Sequence, residues 1–192
     1  MLKRVKLGNK YIPYKIKYNR VKYARIEVRE KWINLVLPYG FTQEEQLITK
    51  HAAWIEKKLN EYEALRRKSH DLKLQHRNAS EFKALIGHII NNYTHEMNTS
   101  LPVIKYRKMK RKWASMNSNH ILTVNWFMSF LPEPMISYIL YHEMCHIFEM
   151  SHNSKFKNLI KKRYDNYKDF DKELKAYWIA IKSHLYMTSD KR

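Results

Sequence analysis

The chain carries 37 Lys and Arg among 192 residues, yet residues 113–154 contain neither. That cation-free window constrains the fold more than any other feature, because a stretch purged of positive charge in so basic a chain has to be the part sunk in the core. It contains the word His142-Glu143-Met144-Cys145-His146 and, after five further residues, His152. Residues four apart on a helix share a face, so His142 and His146 can grip one cation from the same side while Glu143 points towards its open position. Fixed positive charge nearby would weaken a bivalent cation held by neutral imidazoles, a second reason for Lys and Arg to be missing here.

The helix carrying these residues is well signalled. Pro132-Glu133-Pro134 gives a rigid entry with proline near the first helical position, and Met135, Ile136, Ile139, Leu140, Met144 and Ile147 follow at helical spacing. The spacing predicts a helix over 134–150. Ser151-His152-Asn153-Ser154 then reads as a turn that caps a new helix from Lys155, leaving His152 free to swing back as a third ligand. Three imidazoles would leave a fourth position for water, its pKa brought towards ~7, and Glu143 would take its proton. The ion expected is one Zn2+, other divalent transition metals fitting the same donors. Glu149 returns to the same face seven residues after His142 but lies a turn further along the axis, and Glu173 is a more distant carboxylate candidate. Tyr138, one turn before His142, reads as a packed residue beside the site, and Cys145 as a small buried one. A closed structural site would want a fourth protein ligand.

These residues resemble the YgjP-like metallopeptidases, relatives of the SprT-like proteases within the zincin group. The resemblance rests on Trp113-Ala114-Ser115-Met116, Ile121-Leu122-Thr123-Val124-Asn125, Leu131-Pro132, Tyr138, the His142 to His146 word, and His152 with Ser154 and Phe156 behind it. The family's tryptophan segment reads Trp-Gly-Ser-Cys, where this chain has Ala114 and Met116. The resemblance implies a zincin-like catalytic subdomain, a peptidase activity on protein or peptide, and a strand above the site that holds the substrate backbone.

The amino-terminal part reads differently. Ile12, Tyr14, Ile16 and Tyr18, then Ala24, Ile26 and Val28, then Ile33, Leu35 and Leu37 alternate with polar neighbours, predicting a three-stranded antiparallel meander over 11–37. Pro38-Tyr39-Gly40 ends it, Thr42 and Glu45 suggest a capping box, and Ile48, His51, Ile55, Leu59 and Tyr62 form a helical stripe. Residues 68–78 lapse into a polar connector before a second helix over 80–97, and short strands follow over 103–108, around Trp113 and over 120–125. A carboxy-terminal helix through Phe170, Leu174, Tyr177, Trp178, Ile181 and Leu185 is expected to pack across the outside. The fold class expected is α+β: an N-terminal antiparallel β-meander with helices over 1–78, packed on a zincin-like subdomain with the metal helix over 79–192. His51, His88 and His95 read as hydrogen-bonded structural histidines.

With 44% hydrophobic and 14% aromatic residues a sizeable core is available, and disorder is not expected. A single Cys excludes an internal disulfide and fits a reducing compartment; with no signal peptide legible and no apolar run of membrane length, a cytoplasmic protein is expected. The formal net charge of +19 and the six cations in residues 105–112 point to an anionic partner, nucleic acid or nucleotide, or else to a solvated strand edge that discourages pairing. Residue chemistry alone therefore leaves three functions open. They are a metallopeptidase, a metal-dependent hydrolase of nucleotide phosphoanhydrides, and a basic nucleic-acid-binding module with a structural metal; the oligomeric state is not legible.

Overall fold

In the computed structural model, which describes residues 3–29 and 32–189, the chain divides into two compact units, Met1–Lys68 and Ser69–Arg192. The first holds β1 (Lys3–Leu7), β2 (Lys10–Asn19), β3 (Arg25–Val28), β4 (Ile33–Pro38), α1 (Glu44–Lys50) and most of α2 (Ala52–His70). Val5, Leu7, Ile12, Tyr14, Ile33, Leu35 and Leu37 turn one sheet face inward, where Ile48 and Ile55 of the helices meet them.

This sheet is not the antiparallel meander that the alternation predicts. Its order is β1-β2-β4-β3, with β4 inserted between β2 and β3 and running parallel to β2. The burial preferences of the strands account for the order. Four of the six residues of β4 are buried, so it gains most from an interior position, whereas β3, with Arg25 and Glu27, is suited to an edge. The extra strand β1 forms a hairpin with β2 across Gly8-Asn9, where Leu7 pairs with Lys10 and Gly8 takes φ +54, a conformation glycine adopts without strain. The capping box expected at Thr42 does not form: Gln43 occupies the N-cap of α1 without a side-chain hydrogen bond. His51, at the C-cap of α1, is exposed rather than part of an apolar stripe.

The second unit contains α3 (Ala79–Glu96), β5 (Val103–Arg107), β6 (Ala114–Met116), β7 (Ile121–Asn125), α4 (Glu133–Cys145), α5 (Ser154–Lys161) and α6 (Tyr167–Ser189). The polar connector goes with this unit, ahead of the divide expected after residue 78. Gln75 N–H donates to the Phe130 carbonyl at 2.9 Å, Arg77 donates to the Leu131 carbonyl at 2.6 Å, and Leu72 and Leu74 pack on its core. α3 starts on a complete capping box, the Asn78 side chain accepting from Ser80 and Glu81 N–H while Glu81 accepts from Asn78 N–H.

The small sheet has the order β5-β7-β6, β5 parallel and β6 antiparallel to β7, so β6 is an edge strand. α4 is buried along most of its length, between residues of α3, β6, α5 and α6. α6 contributes Leu174, Tyr177 and Ile181 to this core and so completes it rather than lying outside.

Candidate metal centre

α4 stops at Cys145, short of the 134–150 span that periodicity predicts. His146 is its C-cap, and the chain tightens beyond it: Ile147 and Phe148 N–H donate to the carbonyls of Met144 and Cys145, three residues back. The early stop lets the chain fold back through Ser151 so that His152 reaches the helical pair. One ring nitrogen from each of His142, His146 and His152 lies within 4.8 Å of the others, and the Nε2 atoms of His142 and His152 are 3.0 Å apart. Two nitrogens each ~2.0–2.1 Å from a tetrahedral zinc sit roughly 3.3 Å apart, so the rings need only a small adjustment to share an ion. Neither Glu149 nor Glu173 joins this group among the described residues.

The rings are held from behind. His146 Nδ1–H donates to the Glu149 carbonyl at 3.0 Å, which fixes the tautomer and leaves the lone pair on Nε2. Glu149 thus serves through its backbone, while its carboxylate accepts from Ser151 N–H at 3.1 Å and steadies the return loop. Phe156 touches all three imidazoles, with ring centroids 4.8 Å from His142, 4.5 Å from His146 and 4.7 Å from His152. Its place is set by Asn153, whose side chain accepts from Phe156 N–H as α5 begins.

Burial favours the neutral form of the two helical donors. Burial, with the like charge of His146 and His152 adding to it, pushes His142 down to about 4, and burial lowers His146 as well. An imidazole that resists protonation keeps its lone pair for a metal.

Glu143, 9% exposed, points into the same cavity of about 390 Å³, and its Oε2 accepts from the Met116 N–H of β6 at 2.7 Å. Burial pushes its carboxyl up to about 7, against the pull of that N–H and of the Lys112 charge. A carboxyl poised near neutrality, beside three imidazoles, suits proton transfer.

Several neighbours of the site carried little signal in the sequence. Tyr138 is buried and donates to Asp171 Oδ1 at 2.8 Å, so the residue one turn before His142 is a packed tyrosine that bridges α4 to α6 on the cavity wall. Asp171 itself had no motif to mark it. Ala114 and Met116, which stand where the family has Gly and Cys, sit in β6 with no positive φ and line the cavity, so an ordinary strand needs no glycine there. Cys145 is fully buried, and burial pushes its thiol up to about 12, as befits an inert core residue. His88 is bonded to Asn92, and His95 lies exposed in the last turn of α3; neither approaches the centre.

No curated protein matches the chain. Among solved structures it is similar to the metallopeptidase zymogen abylysin of Pyrococcus abyssi, at 20% identity over 46% of this chain and 90% of that one, with a TM-score of 0.43. It is also similar to the metallopeptidase zymogen jannalysin of Methanocaldococcus jannaschii, at 27% identity over 47% of this chain and 85% of that one, with a TM-score of 0.42. No helix among the described residues is long and apolar enough to cross a membrane. Residues 71–177, more than half of the chain and all of the cavity lining, match the YgjP-like metallopeptidase domain, so the chain belongs to the YgjP-like family and is a metal-dependent peptidase.

Proposed function

We propose that the chain hydrolyses peptide bonds in protein or peptide substrates, with His142, His146 and His152 holding one zinc ion and Glu143 as general base. The observation that carries this reading is the convergence of three imidazoles on one point, beside a buried carboxyl group with one oxygen engaged. The donor set fits zinc: three nitrogens, one tautomer fixed by a backbone carbonyl, and no fourth protein ligand among the described residues to close the site. A zinc ion so held supplies a Lewis acid that lowers the pKa of water towards ~7 and polarises a carbonyl oxygen.

The chain's own groups supply the rest. Met116 N–H holds Glu143 Oε2, which leaves Oε1 to take a proton from water and later pass it to the leaving amine. β6 supplies the substrate strand. Trp113 O and Asn117 N bond towards β7, so by the two-residue period the backbone groups of Ala114 and Met116 face away from it. With Met116 N–H taken, Ala114 N–H and the two carbonyls remain for an extended peptide to pair with.

The test uses zinc-loaded protein and Glu143→Gln against an unstructured protein and, separately, nucleoside triphosphates. The expected result is peptide cleavage by the parent, a loss of turnover of at least about 100-fold in Glu143→Gln, and zinc near one equivalent in both proteins. Triphosphate hydrolysis without peptide cleavage would replace this reading with the nucleotide one. Nucleic-acid binding with neither reaction would leave only the basic module.

A further inference from the structure

Residues 105–112 contain six cations, and among the described residues none of the six makes an ion pair. Protection of a strand edge accounts for Lys105 and Arg107, which stand exposed on the edge strand β5. It does not account for Lys112, which follows the end of β5 and lines the cavity with Glu143, His142 and His146.

The segment bearing Lys112 is also fixed in place. Asn125, fully buried, uses all four of its hydrogen-bonding positions here: Oδ1 accepts from Met109 and Phe127 N–H, and Nδ2 donates to the carbonyls of Met109 and Lys112. The Lys112 carbonyl is 2.7 Å from that amide, so its ammonium is tethered to a rigid backbone at the mouth of the site. A charge on a preorganised backbone loses less entropy on meeting a partner than one on a free loop. Of the acidic groups in the cavity, Asp171 already accepts the Tyr138 hydroxyl and Glu143, which feels the Lys112 charge, accepts from Met116 N–H; neither makes an ion pair with Lys112.

We infer that Lys112 is a specificity-determining residue, selecting peptide segments with an aspartate or glutamate close to the bond cut. This inference rests on the peptidase reading. An extended peptide paired along the outward edge of β6 passes Lys112, two residues before Ala114, so a substrate carboxylate comes within reach of its ammonium. Phosphate would satisfy the same cations, but the outward N–H and carbonyl groups of β6 pair with a peptide backbone and not with a phosphodiester chain.

The experiment uses two fluorescent, unstructured peptides of equal length, identical except that Asp and Glu in one are Asn and Gln in the other. Binding is read on the zinc-loaded Glu143→Gln protein and cleavage on the parent. The acidic peptide should bind about three- to fivefold more tightly, the range of one solvent-accessible ion pair, and the ratio should shrink as salt shortens the Debye length. Lys112→Gln should bring the ratio near one, Lys112→Arg should keep it, and Lys105→Gln, with the same change in net charge, should keep it too. Zinc near one equivalent shows that each variant is folded.

Equal binding of the two peptides, or a preference that survives Lys112→Gln, overturns the inference even where both peptides are cleaved. A Lys112-dependent acidic preference without cleavage upholds it as recognition and removes the peptidase reading instead. A single-stranded oligonucleotide that binds more tightly than the acidic peptide, through Lys112, overturns it in favour of nucleic acid.

Discussion

At the scale of single residues, the geometry of the three-histidine cluster depends on side chains outside it. Phe156 is 2% exposed and packs against every one of the three imidazoles, so it sets the tilt at which their nitrogens converge. Phe156→Leu keeps the site apolar but removes that flat surface. Zinc affinity is expected to fall by about 10-fold or more, as for other groups that orient ligands, and competition with a chromogenic chelator measures it. Asn125 acts at a distance from the histidines. Asn125→Ala strands the amides and carbonyls it satisfies, and a loss of about 2–4 kcal/mol in urea unfolding is expected from several buried groups left unpaired. The clustering of His142 with His146 beside Glu143 could be anticipated from spacing alone, because residues four apart on a helix share a face. Phe156 and Asn125 could not, since an apolar residue in a helix and an amide at a strand end occur in many places and become special only through what lies across from them.

Elements show the same division. α3, α4 and α6 followed from periodicity because a helix buries its own backbone polar groups and needs only one apolar stripe. Their ends depended on local chemistry. Asn78 with Glu81 stops α3 unwinding, and Asn78→Ala is expected to cost about 1 kcal/mol, visible as a lower Tm in thermal unfolding. The end of α4 was not legible, because the apolar pattern continues to Ile147 while the His146 bond to the Glu149 carbonyl belongs to the return loop. Strands fare worse. Alternation marks a strand but says nothing of its neighbour, and β4 paired parallel with β2 because burial favoured the most apolar strand at the centre.

For the whole molecule, the two units have separate apolar cores, one around Tyr14 and Leu35, the other around Ile136 and Leu140. We propose that residues 69–192 form an independent folding unit carrying the complete centre. Expressed alone, this fragment is expected to unfold cooperatively and to gain stability with zinc by about 2.7 kcal/mol at 100 times the Kd; calorimetry with and without zinc checks both. Removing residues 69–78 as well should cost stability, since Leu72, Leu74, Gln75 and Arg77 are bonded to or packed on this core. The +19 charge shaped this molecule mainly by exclusion, keeping cations from residues 113–154 and leaving Lys112 at the border of that window.

By itself the sequence determined the pairing of His142 with His146, the acidic residue between them, the helices and the α+β class, because each is written in intervals of a few residues that local geometry converts directly into a shared face. Tertiary structure alone decided the strand order, the stop of α4 that brings His152 to within 3.0 Å of His142, and the pinning of the basic segment by Asn125. Those depend on partners far apart along the chain, whose meeting is settled by competition for burial and for hydrogen bonds in the packed core.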